Sequence, residues 1–361
     1  RRVPFASNRF STVQEQATVV PFFPRINRRQ PLPPLQSLIK FTDDPNGNKT
    51  IIGDVSDLLD FAIIGFAKCG TSTMMEYLHQ PPLSTVFQHE RCDVGYDLPG
   101  KLVPALYKTL IKTKDTLLGI KCPRNIDDSM NNFSIFFPKT KFIIALRHPV
   151  HWFQSLYNFR INNEGIELPD PNLLTGGHIA GCKGVFANRV LYHYMLARLG
   201  KTPLDEKELS LVLGKATETD IHDFYDRLLV NTGNKVFLYH VEQLPSAAEG
   251  VLPERFMTDL TNFLGLQTNN ETFLGNRINR WIPGKKLENK AVKKYRDSLK
   301  INICDARYQP LRTVLTENGR ISAQWFREYF LHSPDVAVPS GTSFDMLMDK
   351  WAVDPCLDQQ E

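Results

Sequence analysis

Residues 61–73 read Phe61-Ala62-Ile63-Ile64-Gly65-Phe66-Ala67-Lys68-Cys69-Gly70-Thr71-Ser72-Thr73. The apolar run that ends at Gly65 predicts a short buried strand. Thr73-Met74-Met75-Glu76-Tyr77-Leu78 predicts the start of a helix, which Pro81-Pro82 stops. A loop between strand and helix can aim several backbone N–H groups at one anion, and the helix N-terminus adds partial positive charge. Gly65 and Gly70 permit the tight turn and the close approach of a phosphate to the backbone. Thr71, Ser72 and Thr73 supply hydroxyl donors, and Lys68 and Cys69 complete the loop.

The same texture recurs along the chain. Phe142-Ile143-Ile144-Ala145-Leu146 predicts a second buried strand, ending at Arg147-His148-Pro149 and followed by a helix over 150–160. Val236-Phe237-Leu238-Tyr239 predicts a third strand, and Pro253 to Leu264 an amphipathic helix closed by Gly265. Apolar strands alternating with helices imply an α/β fold, a P-loop-like single domain whose central parallel sheet is flanked by helices. Residues 285–330 read as helical and basic, and 331–361 as an irregular tail that packs back. Prolines and clustered arginines in 1–40 predict an extended arm or stem, leaving 41–361 as the folded domain.

The bulk numbers narrow the function classes. With 361 residues, 42% apolar and 23% charged, the chain reads as an ordinary soluble globular protein. A net charge of +4 fits a protein that holds anionic ligands locally and does not argue for a nucleic-acid partner. The six cysteines form no CxxC pair and no zinc-like cluster, so no metal site is expected. They leave room for one or two disulfides, with the C-terminal third the favoured place. No run of about 18 apolar residues predicts a membrane span. The start at Arg1, without methionine, leads us to expect that an N-terminal segment preceded it. An anchor there is the one route to a membrane, in a Golgi-lumenal setting, with a cytoplasmic one the alternative. Three N-x-S/T sequons, at Asn48, Asn132 and Asn270, carry little weight for a secretory route.

The loop is almost a Walker A motif, G-x-x-x-x-G-K-[ST], but Thr71 occupies the slot after the second glycine and the lysine stands earlier, at 68. A nucleoside-triphosphate enzyme needs its lysine on the β- and γ-phosphates and a hydroxyl on magnesium. A lysine placed earlier can instead reach the bridging oxygen of a 5′-phosphosulfate. In this arrangement the sequence resembles the sulfotransferases that use 3′-phosphoadenosine 5′-phosphosulfate (PAPS), closest in pattern to glycan-modifying, heparan sulfate 3-O-type members.

The resemblance extends beyond the loop. Sulfotransferases have an arginine just after a strand and a serine eight residues on, both bound to the ribose 3′-phosphate; Arg147 and Ser155 match that spacing. A guanidinium at a strand's carboxyl edge can bind a phosphate bidentately. Glu90 lies 22 residues after Lys68, as does the catalytic glutamate of the glycan-type enzymes, and a base there would take the acceptor's proton. His89 competes for that role, with Glu90 favoured. Lys121, in Gly119-Ile120-Lys121-Cys122-Pro123, resembles the second lysine near the sulfate. Lys285 and Lys286 stand where the family closes a basic loop over the nucleotide.

Together these imply PAPS as donor, 3′-phosphoadenosine 5′-phosphate as product, no metal, and a glycan or small hydroxylated acceptor. There are departures from the family pattern. Ser72 replaces an arginine after the Gly-Thr pair, and Arg91, Cys92 and Asp93 replace the residues that contact an acidic polysaccharide in those enzymes. A kinase or NTPase would need an acidic, magnesium-holding residue at another strand end. A fold that had lost activity would bind the nucleotide without transfer.

Overall fold

In the computed structural model the described residues are 32–41, 49–81, 83–113, 116–123, 125, 129–164, 170–171, 234–245, 252–266, 290–327, 331, 333–339 and 343–357. The chain enters through a short helix, α1 (Leu35–Leu38), and an antiparallel pair, β1 (Ile39–Phe41) with β2 (Lys49–Ile51). The end of the expected arm is therefore structured, and its residues 1–31 lie outside the described ones.

The centre is a six-stranded sheet built from β3 (Phe61–Gly65), β4 (Ser84–Val86), β5 (Leu117–Lys121), β6 (Lys141–Leu146), β7 (Val236–His240) and β8 (Val336–Ala337). The spatial order is β4-β5-β3-β6-β7-β8, and every neighbouring pair is parallel. Every residue of β3, β5, β6 and β7 is buried, which requires cover on both faces. Helices flank the sheet or pack on the helices that do: α2 (Thr71–Leu78), α3 (Asp93–Tyr96), α4 (Val103–Thr113), α5 (Met130–Phe136), α6 (Pro149–Glu164), α7 (Glu254–Leu264), α8 (Lys290–Leu299), α9 (Gln309–Trp325) and α10 (Ser343–Lys350). The α/β fold with a central parallel sheet is thus as the apolar runs imply.

Strand β5 was invisible to the pattern because Gly119 interrupts it. A Cβ at Gly119 would stand 2.2 Å from ring carbons of Phe61 on β3, so the glycine makes room for an aromatic on the neighbouring strand. The strand is held in place by that cross-strand packing, a long-range fact.

The C-terminal stretch differs from an irregular tail. It contributes β8 and α10, and Trp351 just beyond α10 is fully buried. Its indole N–H donates to Nε2 of His240, at the end of β7, at 3.0 Å. His148, just past β6, accepts from the Val150 N–H at Nδ1, so Nε2 carries the hydrogen and donates to the carbonyls of Lys350 (3.0 Å) and Val353 (3.1 Å). Arg312 on α9 pairs with Asp354 at 2.8 Å, and a disulfide joins Cys304 to Cys356. This segment is clasped onto the carboxyl ends of β6 and β7. Among the described residues no helix is long and apolar enough to cross a membrane.

Candidate active site

In a parallel sheet all strands end on one side. The ends of β4, β5, β3 and β6, four neighbours, therefore present residues 87–92, Lys121, the 66–70 loop and Arg147 along a single edge. The chain leaves β3 toward β4 at one edge of the sheet and leaves β6 toward β7 on the opposite side. The loops after β3 and β6 diverge, and ligands of open α/β folds bind in such a crevice.

The loop is held in a conformation it would not choose. Lys68 has φ 68° and Gly70 φ 80°, both left-handed. For Gly70 this is free; for Lys68 the Cβ makes it unfavourable. Three contacts hold the turn: Arg147 Nη1 donates to the Lys68 carbonyl at 3.1 Å, Trp152 Nε1 on α6 donates to the Ala67 carbonyl at 3.0 Å, and the Cys69 N–H donates to the Phe66 carbonyl at 3.2 Å. Gly70 is also required for space, since a Cβ there would lie 2.9 Å from Leu244 Cδ1 and 3.0 Å from Val241 Cγ2.

Helix α2 begins at Thr71, two residues before the expected start, so the three hydroxyl residues form its first turn. No side chain caps it, and uncapped leading N–H groups of a helix can receive an anion. Thr71 is buried, Thr73 half-buried and Ser72 exposed. Gly65 closes β3 at a register irregularity. Cys69 is a free, fully buried thiol, pushed far up in pKa by burial, and its Sγ faces the Ala67 carbonyl at 3.8 Å. Its N–H and its thiol are thus both engaged within the loop.

Lys121 is the pivot on the other side. Only 6% exposed, its ammonium donates to Glu90 Oε1 at 2.8 Å and to Ser72 Oγ at 2.9 Å. It therefore bridges the end of β4 to the first turn of α2. Glu90 keeps 52% of its side chain exposed, so its carboxylate is both anchored and open. His89 is exposed beside it. Arg91 pairs with Asp93 at 3.1 Å, donates to the Lys101 carbonyl at 3.3 Å and lies over Phe87.

The ammonium of Lys68 lies 4.4 Å from the ring centre of Phe159 on α6. Burial first, then the charges of Arg147 and Lys121, pull its pKa below the usual lysine range. Cations that oppose one another's protonation are relieved by a bound anion, so this cluster fits an anionic ligand. Ser155 is half-buried on α6, in its second turn. Lys285 and Lys286 lie outside the described residues. Among the described residues no group of three or more His, Cys, Asp or Glu is placed to hold a metal ion.

Sequence reading missed Trp152, Phe159, Val241 and Leu244, which act on the loop from α6 and from the turn after β7. It also missed the disulfide Cys92–Cys122. A signal for the disulfide was present: one cysteine stands two residues after Glu90 and the other directly after Lys121.

Neither a protein-family model nor a curated protein matches the chain. Among solved structures it is similar to a crystal structure of a sulfotransferase from Alicyclobacillus acidocaldarius, with 16% identity, 72% of this chain and 94% of that chain covered, and a TM-score of 0.36. A superposition at that level carries no weight for activity. The chain's own residues do.

Proposed function

We propose that this protein is a sulfotransferase that moves the sulfuryl group of PAPS onto a hydroxyl, or an amine, of a glycan-type acceptor. The observation that carries the proposal is the convergence of Lys68, Lys121, Glu90 and Arg147 at four adjacent strand ends of one parallel sheet, with Lys121 bonded to both Glu90 and Ser72.

When bound, the donor supplies an electrophilic sulfur and a nucleotide leaving group. The α2 N-terminus with Gly70, Thr71, Ser72 and Thr73 would receive the 5′-phosphosulfate. Arg147 and Ser155 would hold the 3′-phosphate, with Lys285 and Lys286 as further contacts. Glu90 takes the proton as the acceptor oxygen attacks sulfur, because a neutral alcohol is a poor nucleophile. Lys68 stabilises charge on the bridging oxygen as its bond to sulfur breaks, and Lys121 holds the sulfuryl oxygens and fixes Glu90. One S–O bond (S–N with an amine) would form, the S–O bond to the nucleotide phosphate would break with 3′-phosphoadenosine 5′-phosphate leaving, and the proton would end on Glu90. The pair of disulfides supports an oxidising, secretory compartment such as the Golgi lumen.

The test is turnover of labelled PAPS with a panel of glycans, phenols, sterols and amines. Lys68→Ala should lower kcat about 10²-fold or more while circular dichroism stays native. Unchanged transfer, or magnesium-dependent ATP hydrolysis in its place, would overturn the assignment.

A further inference from the structure

Glu90 stands in a segment without helix or strand, so its position must be imposed from outside. Two backbone hydrogen bonds and a disulfide impose it. The Phe87 N–H donates to the Gly119 carbonyl at 3.3 Å, one residue past the end of β4, and the Arg91 N–H donates to the Lys121 carbonyl at 2.9 Å. Between these two bonds residues 88–90 loop outward. Immediately after the second, the disulfide Cys92–Cys122 closes the loop covalently. Cys122 is itself tied to the central strand, its N–H donating to the Ile63 carbonyl at 3.0 Å. The bridge thus joins the Glu90 segment to the strand that carries the phosphate loop, and it does so beside Lys121, the ammonium that Glu90 needs.

We infer that Cys92–Cys122 is a positioning disulfide for the transfer step: it holds the Glu90 carboxylate against Lys121 and over the reacting centre. The inference rests on the sulfuryl-transfer reading above. Without the bridge, only non-covalent contacts keep the half-exposed Glu90 in register with a buried lysine: the backbone bonds at Phe87 and Arg91, the Arg91 side-chain contacts and the Lys121 ion pair itself. A misplacement of about 1 Å at a reacting group can lower a rate about 10²-fold. The groups assigned to the nucleotide's two phosphates stand on different elements, the 65–73 loop and Arg147, so binding of 3′-phosphoadenosine 5′-phosphate should not depend on the bridge.

Two double variants separate this role from general stabilisation. Cys92→Ser/Cys122→Ser removes the bridge near the site and keeps the other; Cys304→Ser/Cys356→Ser does the reverse. The first should lose about 10²-fold in kcat. Its KM for PAPS and its calorimetric affinity for 3′-phosphoadenosine 5′-phosphate should match the intact protein. The second should keep kcat at temperatures where it remains folded.

A cycle with Glu90→Gln reads the mechanism. If the bridge acts through Glu90, adding Glu90→Gln should lower kcat far less in Cys92→Ser/Cys122→Ser than in the intact protein. Multiplying losses, an unchanged kcat, or a parallel loss of nucleotide affinity would each overturn the inference. Should the serine pair fail to fold, as read by circular dichroism, reduction of the native protein by a dithiol gives the same comparison. There the S–S bond takes two electrons and two protons to become two thiols while the dithiol closes to its own disulfide, and Cys304→Ser/Cys356→Ser treated alike isolates the effect to Cys92–Cys122. Absence of transfer in the intact, oxidised protein is a separate result that removes the sulfuryl-transfer reading itself.

Discussion

Lys68 adopts φ 68°, a backbone region that disfavours any residue with a Cβ by about 1–2 kcal/mol. Its carbonyl is held by Arg147 and its ammonium lies over Phe159, so backbone and side chain are restrained by different groups. Such strain persists only where the surroundings over-determine it, and it clusters at functional sites. Gly70, two residues on, has no alternative. Gly70→Ala would combine φ 80° with methyl contacts near 3 Å to Leu244 and Val241. We expect it to lower stability by about 1–3 kcal/mol, read as a shifted urea midpoint, and to weaken binding of 3′-phosphoadenosine 5′-phosphate. Unaltered nucleotide affinity in this variant would show that the turn is not the phosphate site.

At the scale of elements, α6 governs the loop. Its first residues follow Arg147, its Trp152 indole bonds the Ala67 carbonyl, and Phe159 two turns later receives Lys68. Trp152 is itself buried, so its ring anchors α6 while its N–H anchors the turn. Trp152→Phe retains most of the ring and deletes the donor, leaving the Ala67 carbonyl without that partner. The expected loss is about 1–2 kcal/mol in stability, by the measured penalties for unpaired buried acceptors. A larger KM for PAPS should accompany it, because the turn is freed. A stability change with KM untouched would place Trp152 in the core alone.

The whole molecule is closed by its C-terminal segment, and the closure is titratable. Burial first, then the neighbouring His151, pushes His148 down to about 4; burial first, then His148 and Arg147, pushes His240 down to about 3. Both imidazoles are neutral in the folded chain, donating to Lys350 and Val353 or accepting from Trp351. The unfolded chain takes up these protons first, near pH 6.5. Stability from the two histidines is therefore complete above that pH and is lost as pH falls toward 4. The slope is about 1.4 kcal/mol per pH unit for each group. Urea midpoints between pH 7 and 5 should show it. His148→Gln keeps an N–H donor for the Lys350 carbonyl and removes one titration, so its slope should be lower by about 1.4 kcal/mol per pH unit. Equal slopes would mean that the clasp does not depend on His148.

How much of this could be read from the chain depends on the range of the forces involved. Strands β3, β6 and β7 were legible because each is a continuous apolar run, and buried parallel strands need nothing else. Helix α7 was legible because its apolar face and the αL residue Gly265 are local signals. The loop residues and the spacing of Arg147 and Ser155 were likewise local. Strand β5 was not, since Gly119 answers to Phe61 of another strand. Nor was the tail, whose order comes from His148, His240, Arg312 and Cys304, all remote in sequence. The loop at 65–73 was thus determined by its own residues in type and order. Which groups hold it, and that Lys121 joins Glu90 to Ser72 beside it, only the tertiary structure decided, because parallel pairing brings strand ends 30 to 80 residues apart in the chain to one edge.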